Sequence, residues 1–112
     1  MEEEKTVEPE KSNGKTIKIT CKFCAKWGLT YQINRFESTL IKSLLDLGYK
    51  VNYKISALLG GYGEYFVFVN DKKDKQQIIF SNNKKKHKNA IFGSEIDEKN
   101  MNEVIKKIEE II

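Results

Sequence analysis

Cys21-Lys22-Phe23-Cys24 is the stretch whose residue types and spacing are equipped for chemistry. Two sulfurs three residues apart can close a disulfide or share a metal ion, and a helix beginning just after them would aim its N–H dipoles at a thiolate. The chain has two cysteines and one histidine, His87. A tetrahedral zinc site within one monomer would therefore need a carboxylate as fourth ligand, whereas two copies facing each other would supply four sulfurs. Thiol redox chemistry needs only Cys21 and Cys24, which are the expected catalytic residues. Neither a metal nor a cofactor is expected.

The surrounding pattern says what must position this pair. Ile17 and Ile19 alternate with Thr16, Lys18 and Thr20, the period of a strand, expected to end at Cys21. Leu29, Ile33, Phe36, Leu40, Leu44 and Leu47 recur at steps of three and four, one face of a helix, and Gly48 is its natural stop. Val51, Tyr53 and Ile55 alternate again, so the strand–helix–strand order predicts a right-handed parallel crossover. After the turn Gly60-Gly61-Tyr62-Gly63, Tyr65–Val69 is apolar on both faces, as a central covered strand would be. A polar turn and Ile78-Ile79-Phe80 complete an antiparallel hairpin. Residues 81–93 read as loop, and Met101, Val104, Ile105, Ile108, Ile111 and Ile112 as a second helix, capped by Ser94 or Asp97. The expected fold is a two-layer α/β domain over residues 16–112, β-α-β-β-β-α, with a mixed four-stranded sheet packed by two helices. Residues 1–15, with Val7 as the one aliphatic side chain after Met1, read as a disordered acidic tail.

At 112 residues, 39% apolar and 32% charged, the sequence has the length of one domain with a modest core. No apolar run approaches the ~20 residues of a membrane helix. Met1-Glu2-Glu3-Glu4 is the opposite of the basic start of a secretory signal, so a cytoplasmic protein without a membrane partner is expected. In such a reducing compartment a C-x-x-C is a redox or metal motif, reduced at rest, rather than a structural staple. Residues 1–15 hold five acidic and three basic side chains and residues 16–112 eleven and seventeen, so the folded part is basic. Such a charge attracts nucleic acid, anionic membrane or acidic proteins, although a Lys- and Asn-rich composition also arises from genome-wide bias.

A C-x-x-C between the first strand and first helix of this order resembles the thioredoxin-like fold. Its standard members carry a cis-proline loop before the third strand, whereas the stretch here is Gly60-Gly61-Tyr62-Gly63-Glu64-Tyr65-Phe66-Val67. That glycine-then-aromatic entry is similar to the one in the selenoprotein W family of small thioredoxin-like proteins, which also lack the proline. The resemblance runs from about Lys15 to the C-terminus and includes the lysines after Phe80-Ser81 and the Phe92-Gly93 loop. Cys21 matches the family's first cysteine and Cys24 its selenocysteine or second cysteine. Gly63 and Tyr65 match the third-strand entry. The resemblance implies a thiol–disulfide redox protein acting in cell redox homeostasis, with protein or glutathione thiols and disulfides as partners. Which sulfur attacks stays open: ordinary thioredoxins attack with the N-terminal cysteine, whereas the resemblance assigns attack to Cys24. A helix dipole beginning near Cys24 would also reach Cys21 across the turn.

Other residues have plainer readings. Trp27 and Tyr62 serve either partner contact or ordinary packing. His87 reads as a solvated loop histidine, and Lys84-Lys85-Lys86-His87-Lys88 as a solvated face. The main rival function is a basic nucleic-acid or protein binding module with passive cysteines, followed by a zinc-bridged dimer. The sequence argues against nucleic acid, because the lysine run lacks interleaved aromatics and Phe66 and Phe68 read as core. It is neutral on oligomeric state.

Overall fold

The computed structural model of the chain describes residues 2–24, 29–58 and 63–112. The chain opens with β1 (Glu2–Val7) and continues through β2 (Thr16–Cys24) into a helical stretch in three pieces. These are α1 (Leu29–Phe36), a π-helical segment (Glu37–Ile41) and α2 (Lys42–Asp46). It then forms β3 (Lys50–Leu58), β4 (Tyr65–Asn70), β5 (Gln76–Ser81), the two-residue β6 (Ile91–Phe92) and α3 (Met101–Ile111). The sheet order is β1-β3-β2-β4-β5-β6. β2 runs parallel to β3 and antiparallel to β4, which pairs antiparallel with β5. The parallel strand–helix–strand unit and the hairpin are therefore both present.

The expected four strands become six, and the expected disordered tail contributes one of the additions. Residues 2–7 bury little of their own, but backbone pairing with β3 and side-chain contacts hold them at the sheet edge. Asn52 Nδ2 donates to Thr6 Oγ1 at 2.7 Å, Lys50 pairs with Glu8 at 3.1 Å, and Val7 packs against the core. A charged edge strand of this kind also discourages pairing with another chain. At the other edge, Ile91 and Phe92, inside the expected loop, pair in parallel with Phe80 and Ser81.

Strand alternation divides the sheet into two unlike faces. Ile17, Ile19, Cys21 and Phe23 of β2 join Val51, Tyr53 and Ile55 of β3 and Tyr65, Val67 and Val69 of β4 in one core. Phe36, Leu40, Ile41, Leu44, Val104 and Ile108 of the helices complete it, so the helices cover the same face. A bulge between Val67 and Phe68 turns both Ile79 and Phe80 into this core. The π-helical segment has a similar effect: one extra residue rotates later positions by about 100°. Ser38 and Thr39 hydroxyls donate to the Arg35 carbonyl there, competing with the helix ladder. Leu40 and Ile41 are consequently both buried, while Leu47, expected on the apolar face, is 49% exposed.

The helix stops as its sequence predicts. Gly48 adopts φ +92, with its N–H donating to Leu45 O at 2.9 Å and the Tyr49 N–H to Leu44 O at 3.2 Å. Neither expected cap sits at the start of α3, whose N-cap is Asn100 with no side-chain capping bond; Asp97 Oδ1 accepts from the N–H groups of Lys99 at 2.9 Å and Asn100 at 3.2 Å in the turn before the helix. A Cβ at position 48 would lie 2.9 Å from the Lys11 carbonyl oxygen. Gly48→Ala should thus destabilise the fold by at least about 1 kcal/mol, from left-handed strain plus that contact. Urea unfolding followed by circular dichroism checks this; an unchanged midpoint would contradict the capping role.

Candidate functional site: the two cysteines of β2

β2 does not end at Cys21. Lys22 pairs with Ser56 and Phe66, Phe23 with Ala57 and Tyr65, and Cys24 with Leu58. The Cys24 N–H also donates to Glu64 O at 3.0 Å. The anchor is Phe23, which is fully buried and stacks on Tyr65 with ring centroids 6.1 Å apart. Burying a phenylalanine contributes roughly 1.5–3 kcal/mol. A tight turn at Lys22-Phe23 would forfeit that burial, so the motif stays extended.

The two sulfurs consequently point to opposite faces of the sheet. Residues three apart in a strand have Cα atoms roughly 10 Å apart, whereas a disulfide needs about 4.4–6.8 Å. No disulfide joins Cys21 and Cys24. The expected geometry, two thiols on a turn, is corrected: the pair lies in a strand. The described part of α1 is Leu29–Phe36. Trp27 and Tyr62, read from sequence as partner contacts or ordinary packing, and Gly60 and Gly61 of the turn before the third strand lie outside the described residues.

Cys21 faces the helices and is fully buried. Burial pushes its thiol pKa well up, and a hydrogen bond with the Tyr65 hydroxyl only partly opposes this. Tyr65 is itself held well above the usual phenol range, by burial first and then by Cys21. Cys21 is a protonated core thiol, and its hydroxyl partner was missed from sequence, where Tyr65 was matched only as a strand-entry aromatic. Tyr65 also borders a cleft of about 180 Å³ beside Gln32, Arg35 and Glu95. Arg35 Nε lies 3.2 Å from Glu95 Oε1 at its mouth. Cys24 closes β2 on the opposite face, 3% exposed, on the same side as Lys22.

His87 is not a solvated loop residue. It is half-buried, with its ring 4.6 Å from Phe66 and 6.3 Å from Phe68 between centroids. Its Nδ1 lies 2.9 Å from Ser81 Oγ. That hydroxyl also accepts from the Asn83 N–H at 2.9 Å and donates to the Asn83 carbonyl at 3.2 Å. One hydroxyl proton satisfies all three contacts only if Nδ1–H is the donor to Oγ, which leaves the lone pair of neutral His87 on Nε2. Burial, then the Lys86 charge, lowers the His87 pKa, with Glu64 opposing.

Among the described residues, no three His, Cys, Asp or Glu side chains are grouped to hold a metal ion, and no helix is long and apolar enough to cross a membrane. Protein-family models, curated proteins and solved structures give no match to the chain.

The two thiols should differ sharply in reactivity. Iodoacetamide on the native reduced protein should label Cys24 as the strand end frays, and Cys21 only on global unfolding, as read by peptide mass spectrometry. Equal labelling rates would contradict the burial of Cys21. The raised Cys21 pKa also sets a pH dependence. The folded state holds the thiol proton more tightly, so this stabilisation is intact below the unfolded pKa of about 8.5 and lost as pH rises above it. Between about pH 8.5 and 10, wild type should lose up to about 1.4 kcal/mol of stability per pH unit from this group. Cys21→Ala should lack that slope in denaturant titrations.

Proposed function

We propose that the chain is a small thioredoxin-like thiol–disulfide redox protein of the selenoprotein W type, with Cys24 the attacking sulfur and Cys21 the resolving one. The carrying observation is the placement of the C-x-x-C at the C-terminal end of a central strand, within a β3-β2-β4-β5 order built from a parallel crossover and an antiparallel hairpin. Sites in α/β sheets form at carboxyl ends of central strands. The contrast between the thiols supports the roles. Cys21 is locked in the core with a raised pKa, whereas Cys24 is the last residue of β2.

In the proposed reaction the Cys24 thiolate attacks one sulfur of a disulfide R–S–S–R. A Cys24–S–R bond forms, the original S–S bond breaks, and R–S⁻ leaves and takes up a proton. Residues 22–24 then unpair, and the deprotonated Cys21 sulfur attacks Cys24 Sγ. The second R–SH leaves, the protein carries a Cys21–Cys24 disulfide, and two electrons have passed to the substrate. No cofactor takes part. The pairing lost is that of a strand end, where opening is least costly.

Cys21→Ser and Cys24→Ser, each challenged with glutathione disulfide at neutral pH, test the assignment by intact mass. Cys21→Ser should accumulate the mixed disulfide at Cys24, Cys24→Ser should stay unmodified while folded, and wild type should end with an internal disulfide. A mixed disulfide forming on Cys24→Ser alone would reverse the roles. If neither variant outpaces a free cysteine and wild type never closes its disulfide, the redox reading is wrong.

A further inference from the structure

The sheet face opposite the helices carries a feature that the redox reading leaves unused. Phe66 and Phe68 of β4 lie on this face, with the His87 ring edge-on to both. Lys22 from β2 holds its ammonium 5.4 Å from the Phe68 ring centroid, and Lys86 from the 82–90 loop sits 5.1 Å from Phe66. The same loop presents Lys84, Lys85 and Lys88 to solvent. None of these five lysines has a carboxylate partner among the described residues. At the far end of the face the charges cancel: Lys18 pairs with Asp74 at 3.4 Å and Lys54 with Glu4 at 4.0 Å. Positive charge is therefore concentrated around the rings. In sequence the aromatics and the lysines are far apart; the β2–β4–β5 pairing brings them together.

We propose that this face binds single-stranded nucleic acid, with a base stacked on Phe68 and phosphates held by Lys22, Lys86 and the loop lysines. Phe68 is only partly buried, with the Lys22 ammonium 5.4 Å from its ring centroid and the His87 ring edge-on to it. An exposed cation–π contact stabilises by about 0.5–1 kcal/mol. A base stacked on an aromatic side chain contributes about 1–3 kcal/mol. Exchanging the lysine for a base is thus favourable, and the displaced ammonium gains a phosphate. A duplex cannot make the exchange, because its base faces are already stacked. An anionic membrane fits less well, since Phe66 is buried and Phe68 partly so, which leaves neither as an exposed ring to insert among lipids.

The test is fluorescence anisotropy of a labelled oligothymidylate with the reduced full chain at about 50 and 200 mM salt. Binding should weaken steeply with salt, exceed that to a duplex of equal charge, and exceed that to vesicles containing anionic lipid. Phe68→Leu, which keeps the site apolar and folded by circular dichroism, should weaken oligonucleotide binding about fivefold or more with the salt slope unchanged. Lys22→Gln with Lys86→Gln should flatten the slope by about one unit per lysine. No binding at low salt would overturn the proposal. Equal affinity for duplex with no effect of Phe68→Leu would also overturn it, as mere charge attraction. Vesicle binding without oligonucleotide binding would overturn it in favour of a membrane surface. Cys24→Ser binding like wild type is expected, so failure of the redox reading is scored separately.

Discussion

The pairing of β2 on both sides, through to Cys24, is the constraint on which the rest depends. β3 and β4 hold the strand, and Phe23 locks it by filling the core against Tyr65. Because the strand stays extended through the motif, alternation alone assigns Cys21 to the helix-covered face and Cys24 to the other. The consequence is a dithiol motif stored in a separated form, and the barrier to closing it is the pairing of residues 22–24. Closing a Cys21–Cys24 disulfide would require that strand end to open. A closed disulfide and a paired strand end exclude each other.

The two faces also separate two kinds of environment. On the helix side, burial keeps the Cys21 thiol and the Tyr65 hydroxyl neutral and hydrogen-bonded to each other, while the Tyr49 hydroxyl donates to Glu109 Oε2 at 2.6 Å. On the other side Lys22 and Lys86 lie by the Phe68 and Phe66 rings, and Glu64 is the opposing charge felt at His87. Cys24 stands at the border of that basic surface.

Much of the framework was legible in the sequence because it rests on local periodicity. The alternation at Ile17 and Ile19, the helical spacing from Leu29 to Leu44, the Gly48 stop and the hairpin around Ile78 each report a choice made within a few residues. What was missed depends on partners distant in sequence. β1 is charged and bears almost no pattern, yet β3 supplies its hydrogen bonds. His87 looks like one more polar residue in a lysine run until Ser81 and Phe66 are placed beneath it. The extension of β2 past Cys21 was the most consequential miss. The apolar Phe23 between the cysteines was the available signal, since a solvent-facing turn has no use for a buried ring, and the π-helical segment had none beyond Ser38 and Thr39.

Amide hydrogen exchange on the reduced and oxidised protein tests the central claim most directly, through the N–H groups of Phe23 and Cys24. In the reduced protein these amides should be protected as parts of the β2 pairing. Once Cys21 and Cys24 are bridged, protection should fall at residues 22–24, while Val51 and Val69 keep theirs. A Cys21–Cys24 disulfide that forms with this protection unchanged would contradict the account, because the strand end would then not be what holds the two sulfurs apart.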